Sequence, residues 1–533
     1  MALNRLTVFL LKDVEEFSDA LADEKDPDRV ELDQESGLEG EFWWSARAPS
    51  APPWVEFIGE VLSETPDGLR SSSASGLLIV RVAGSVFALT FGYGRSFLRP
   101  ETIVRGFGLK VALNRIDSQQ MRSIDTKAYE DLVVAKTTQA SKSTEVRTFG
   151  IEPMRDILRA VTGEPRTQEL GNRLSGADAL VLNIAVEPSD LPVLLEKALE
   201  AYHDDEYKKD FEWVDHLALV TDPAIIEVLD GKLVTALKVK DTSVTHLAIP
   251  DAIEWEDIHA FKIRGARNNE YDDLDLDDYL DDLKTTDDFT IELLKSRGVL
   301  ISFARSSEDW DQKWTLYHCL VSEQRYNGGL FALIEGRWFS ISKSLVDDVD
   351  AAVGQIGASG LSLPAAMAGE KEGEYNERVS ASMGFVSLDT KLVRPAGATS
   401  GIEFCDMLAP NRTFVHVKRK SRSSTLSHLF AQGLVSINAM IGDGAFREKV
   451  RGIIGEQSKG LESSIIDDWV SAVPGSAEAI SGSDYSVAYV VIAKSTKPGN
   501  DWLPFFSKLN LMQTVRSLAP LGVKVSLDRV DVK

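Results

Sequence analysis

Cysteine is nearly missing from this chain: 533 residues hold only Cys319 and Cys405. Two distant thiols build neither a disulfide framework nor, alone, a zinc site. Cys405 lies in an apolar run and reads as a small buried hydrophobe. Long apolar runs are missing too. None approaches the roughly 18 residues of a membrane helix, so no membrane partner is expected. The first residues, Met1 to Leu11, carry one short apolar run closed by Lys12 and Asp13, without a small-residue cleavage site. They read as a first strand and not as a signal peptide, so a cytoplasmic location is expected. Basic charge is in deficit: 58 Lys and Arg face 83 Asp and Glu, for a net charge of −25. That excludes a protein that coats nucleic acid over its whole surface. It leaves room for a local basic groove, because a few cations at one place supply the phosphate contacts.

What is present is ordinary globular material, 43% apolar and 26% charged. At about 100–200 residues per domain the length implies two to four domains. The pattern predicts an α/β (mixed α+β), multidomain chain. A mixed α/β domain is expected over 1–148, with strands at 3–11, 39–45, 77–83 and 86–92 and helices at 53–62 and 100–113. Gly84-Ser85 marks a hairpin. Arg105-Gly106-Phe107-Gly108 reads as a turn, since it matches neither phosphate-loop pattern. Residues 136–147 are rich in Thr, Ser, Lys and Gln and read as an exposed connection. An acidic α+β domain follows over 149–353, with helices at 154–161 and 190–202 and strands at 216–220, 298–303, 330–335 and 338–342. Its densest acidic run, Tyr271–Asp282, lacks the glycine of a calcium loop and reads as a solvated helix face. The Gly-, Ala- and Ser-rich stretch 354–373 sets the last boundary, with a final domain over 366–533.

That final domain carries the sharpest chemical signal. Helix 372–383 brings Glu374. Strand 402–408 carries Asp406, Pro410-Asn411 turns the chain, and strand 412–418 carries His416 and Lys418. With a period of two, His416 and Lys418 share one face. The helix that follows, Ser424 to Ile441, has an apolar stripe of Leu426, Leu429, Phe430, Leu434 and Ile437. His428 and Gln432 lie on a separate polar stripe. Arg412 to Arg422 holds five basic residues and no acid. Arg412, Arg419, Lys420, Arg422, Ser424 and His428 are therefore candidate nucleic-acid contacts. A carboxylate such as Asp406 suits Mg²⁺ or Mn²⁺, which takes oxygen ligands and activates water. Lys418 can stabilise charge on a phosphate, Gln432 can position phosphate or water, and Glu374 and His416 can complete the metal shell.

Helix acid, strand acid, x-Lys and helix Gln, in that order, resemble the PD-(D/E)xK restriction-endonuclease-like superfamily. The resemblance implies an αβββαβ core and Mg²⁺- or Mn²⁺-dependent phosphodiester hydrolysis, with DNA as the expected substrate. His416 departs from the pattern, standing where a second acid is expected. The alternative is therefore a domain that binds DNA without cutting it. The whole chain also resembles a sporadic bacterial family found with mobile elements and defence loci. That likeness rests on Gly106–Asn114, Arg122–Thr126, Asp156–Gly163, Tyr207–Phe211 and Ser427–Gly433. It implies a role in defence against phage, and leaves a protein partner or self-association open.

Overall fold

The computed structural model describes residues 3–22, 26–64, 68–129, 133–151, 156–250, 258–267, 270–303, 306–395, 401–420, 425–459 and 462–533. They fall into two units, 1–127 with 135–214, and 128–134 with 215–533. The architecture is mixed α and β, built on several sheets. Among the described residues no helix is long and apolar enough to cross a membrane.

The first unit is organised on a ten-stranded sheet that runs from Asp28–Glu31 at one edge to Val133–Thr144 at the other. Helices Phe107–Arg115 and Leu191–His203 cover one face. Phe107, Val111, Leu194 and Leu195 join Leu6, Val8, Leu174 and Leu180 in one core. The helix at 107 sits close to the strands because two glycines face each other. A Cβ on Gly108 would lie 2.0 Å from the Ala179 carbonyl oxygen, and one on Gly176 would lie 2.0 Å from that of Gly108. Gly106 starts the helix at a φ of 71°, and its N–H donates to Asp178, which also pairs with Arg105 at 2.6 Å. Asn114, buried at the end of the helix, donates to the carbonyls of Ala201 and Asp204 and accepts from the Tyr207 N–H. Two of the stretches that carry the family likeness, 106–114 and 207–211, thus meet in one structural knot.

Two local expectations are corrected here. Residues 136–147 are not a free connection; through Thr144 they form the exposed edge strand Val133–Thr144. Polar residues suit an edge, where one side of the strand meets water. The helix expected over 154–161 is, from Asp156, the strand Asp156–Pro165; Met154 lies outside the described residues. The spacing of Leu158 and Val161 fits either structure. Pairing of Val161, Thr162 and Gly163 with Gly176, Ser175 and Leu174 decides it.

In the second unit an antiparallel five-stranded sheet holds Leu217–Leu219, Thr245–Leu247, Leu320–Tyr326, Gly329–Ile334 and Arg337–Ile341. The acidic run forms helix Leu276–Asp282, which buries Leu276, Tyr279 and Leu280 and exposes acids. The site region follows as helix α1 (Glu372–Met383), strands β1 (Val386–Ser387), β2 (Met407–Ala409) and β3 (Thr413–Arg419), helix α2 (Thr425–Gly442), strand β4 (Ser486–Ile492), helix α3 (Phe505–Leu518) and strand β5 (Lys524–Val530). The strands form one sheet in the order β1-β2-β3-β4-β5. β1, β2 and β3 pair antiparallel, whereas β3, β4 and β5 run parallel. Val415 and Val417 face Tyr375 and Val379 of α1 in one core. Glu323 of the antiparallel sheet caps α3, accepting the N–H groups of Phe505 and Phe506 at 2.6 and 2.8 Å. That carboxylate satisfies donors that a helix start leaves open and favours the positive end of the helix dipole.

Candidate metal centre

The strand expected over 402–408 is broken. Ile402–Glu403 pairs with Leu392–Val393, β2 starts only at Met407, and a bend separates them. Asp406 sits at the end of that bend. Its N–H donates to the Val415 carbonyl at 3.0 Å, and its carbonyl accepts from Leu388 at 2.8 Å. Its Oδ2 accepts the Val417 N–H of β3 at 2.6 Å. The residue is 5% exposed. Burial raises its pKa well above the usual carboxylate range, and the nearby charges of Glu403, Asp389 and Glu372 push the same way, against the Val417 hydrogen bond.

Three carboxylates converge at this bend. Oxygens of Asp389, Glu403 and Asp406 all lie within 4.8 Å of one another. Asp389 comes from the turn after β1, with its Oδ2 3.0 Å from where a Cβ on Gly373 would stand. A side chain at 373 would crowd the cluster. Glu403 is held at both oxygens: Oε1 accepts from the Thr390 N–H at 2.5 Å, and Oε2 from Gln432 Nε2 at 3.2 Å. Ser436, one turn beyond Gln432 on α2, donates to the Glu403 carbonyl at 3.1 Å. Helix α2 thus fixes the acid through two side chains.

Lys418, at the end of β3, pairs with Glu372 at 2.9 Å, and the other Glu372 oxygen accepts the Arg419 N–H at 3.0 Å. Both partners of the pair are about a quarter exposed, at 27% each. Glu374 is exposed and caps its own helix, accepting from the Lys371 N–H at 3.0 Å. The α1 acid turned toward the lysine is therefore Glu372, two residues earlier.

The other sequence candidates are spread around this centre. His416 is 1% exposed and packs on the Tyr489 ring at 6.1 Å, and its Nε2 has no hydrogen-bond partner among the described residues. Burial pushes its pKa down to about 3, so the ring is neutral near pH 7. It is not one of the three grouped acids. Arg412 lies in the hairpin turn, over the Tyr485 ring, with Asp484 at 3.8 Å. Lys418 is the sixth residue of the strand that follows it, about 20 Å away at the usual rise. Lys420 donates to the Trp502 carbonyl at 2.7 Å; burial, then the like charge of Lys497, lowers its pKa. Arg419 has Nε and Nη2 buried without a partner among the described residues. His428 is exposed on α2. Arg422 and Ser424 lie outside the described residues. Cys405 is a buried free thiol; burial, then the charges of Asp406 and Glu403, hold its pKa well above the usual value.

Reading the sequence missed Asp389, Glu403 and Glu372. The donor set is carboxylate oxygen throughout, which suits hard divalent cations better than zinc or copper. Residues 6–531 match a family of unknown function, DUF6119, and the chain belongs to that family. No curated protein and no solved structure matches it.

Proposed function

Within that family of unknown function, we propose that the C-terminal region is a divalent-cation-dependent centre that hydrolyses phosphodiester bonds of nucleic acid, DNA above all, in an anti-phage defence protein. The observation that carries this reading is the convergence of Asp389, Glu403 and Asp406, with the charge of Glu372, the partner of Lys418, also acting on Asp406. Oxygen-only donors fit Mg²⁺ or Mn²⁺, and a cation there would offset the mutual repulsion of the acids. Bound in this way, the ion supplies Lewis acidity and an activated water. Asp389, Glu403 and Asp406 would hold it. Gln432 and the Thr390 N–H fix the orientation of Glu403, as partners behind metal ligands commonly do. Lys418 offers positive charge to a phosphate oxygen, with Glu372 steering its ammonium. Helix α1, the antiparallel strands β1 to β3, helix α2 and strand β4 parallel to β3 support a restriction-endonuclease-like core, into which the pair Leu392–Val393 and Ile402–Glu403 and helices Gly444–Gln457 and Ser463–Ser471 are inserted. In this reading Glu372 takes the place of Glu374 as the helix acid, and the acids beside Asp406 come from 389 and 403 instead of position 416.

Supercoiled plasmid and single-stranded RNA, each incubated with Mg²⁺ or Mn²⁺, test this. Wild type should cut one of them, and Asp406→Asn and Lys418→Ala should each lose about 100-fold or more, the scale of one lost charge-stabilising group. Cleavage undiminished in Asp406→Asn would refute the assignment. DNA binding without cleavage by wild type would replace it with the non-cutting alternative.

A further inference from the structure

A second site lies in the acid-rich part of the second unit, away from the carboxylate cluster in sequence and independent of the reading above. Three cations, Arg267, Lys284 and Arg297, line one concavity of about 530 Å³. A single carboxylate, Asp288, shares the lining. In a chain of net charge −25 this is a local inversion of sign.

Four acids from the neighbouring acidic run are not part of its lining. Asp275 caps helix Leu276–Asp282, Asp277 accepts from Thr242, Asp281 pairs with Lys240 at 2.9 Å, and Asp282 accepts from the Tyr271 hydroxyl. Arg267 and Lys284 have no hydrogen-bond or ion-pair partner among the described residues. Arg297, by contrast, is built in. Its Nη1 donates to the Tyr279 hydroxyl and its guanidinium lies over the Phe289 ring at 5.6 Å. Tyr279 and Phe289 are both buried. Gly265 makes room for the guanidinium: its φ is +85°, and a Cβ there would meet Arg297 atoms at 3.0–3.2 Å. One fixed cation and two that have no partner among the described residues surround a single hollow and repel each other, and an anion relieves that repulsion. Guanidinium groups suit phosphate in particular, through forked, charge-assisted hydrogen bonds. The half-buried side chains of Leu283 and Leu293 add apolar wall. The volume is within the range of small-molecule sites.

We propose that this pocket binds a phosphorylated small molecule of nucleotide size, held by Arg297 with Arg267 and Lys284 closing on its phosphates. Calorimetric titration of the full chain with ATP, inorganic phosphate and adenosine tests it. EDTA is kept in the buffer so that no ion at the carboxylate cluster contributes. ATP should bind and adenosine should not, with phosphate binding more weakly. Arg267→Ala/Lys284→Ala, at two exposed positions, should melt as wild type does and bind ATP about tenfold more weakly or worse. Gly265→Ala, which crowds Arg297, should weaken ATP as well. Absence of ATP binding by wild type would overturn the proposal, as would equal affinity in the double variant. So would binding of an oligonucleotide at these residues with ATP silent.

Discussion

At His416, burial sets a measurable pH response. The folded-state value of about 3 lies far below the ordinary 6.5, so the fold favours the neutral ring. The associated stability is fully present above about pH 6.5 and drains away as pH falls from there toward 3. At about 1.4 kcal/mol per tenfold of proton affinity, the loss by pH 5 is about 2 kcal/mol. His416→Leu keeps an apolar contact with Tyr489 and has no proton to gain. Thermal melts at pH 7.5 and pH 5 should therefore show a smaller acid loss in the variant than in wild type. Equal losses would mean that the ring is solvated or hydrogen-bonded. Asp406 tilts the other way, since a raised carboxylate pKa costs stability as pH rises. A comparison of wild type with the position-416 variant isolates the histidine from that opposing trend.

Packing of helix α2 on strand β4 turns on one glycine. A Cβ at Gly433 would stand 2.3 Å from the Tyr489 hydroxyl, which donates to the Phe430 carbonyl at 2.9 Å. Gly433→Ala should cost about 1–3 kcal/mol, as overpacking does. Adding Tyr489→Phe should restore part of it by removing the nearest atom; denaturant melts of the single and double variants read this directly. No recovery in the double variant would place the strain elsewhere. This helix is also where the sequence spoke most clearly. Its apolar period foretold the burial of Leu426, Leu429, Phe430 and Ile437, and set Gln432 apart. β3 was equally legible from its alternation. The break at Phe404–Asp406 was not, because Phe404, Cys405, Met407 and Leu408 are all apolar and no glycine or proline marks the bend. That break has a consequence for the site. A period of two puts residues 403 and 406 on opposite faces of a continuous strand. Only the bend lets Glu403 and Asp406 meet. Asp389 could not be found either, since it arrives by tertiary folding from a turn with no signal beyond its own carboxyl group. Residue type and order singled out Asp406, Lys418 and Gln432; the structure puts Asp406 among the three grouped acids, Gln432 on Glu403 and Lys418 on Glu372.

Over the whole molecule, the acidic excess makes cation binding by itself unremarkable. Exposed carboxylates attract divalent ions weakly, with little preference among sites. What distinguishes the proposed centre is that its acids are partly or wholly buried and oriented by Gln432, Thr390 and Val417, and that Asp406 also feels the charge of Glu372, the partner of Lys418. Each Lys or Arg contact to phosphate releases counterions, so nucleic-acid binding should weaken as salt rises, and screening of the chain's net repulsion should soften that slope. The central claim is the cation site itself, and Mn²⁺ titration of the full chain followed by electron paramagnetic resonance addresses it most directly. Wild type should show a tight, saturable class of Mn²⁺ above the weak surface background. Asp389→Asn/Glu403→Gln/Asp406→Asn, verified as folded by circular dichroism, should keep the background and lose the tight class. A wild type with background alone, or a triple variant that retains the tight class, would contradict the account.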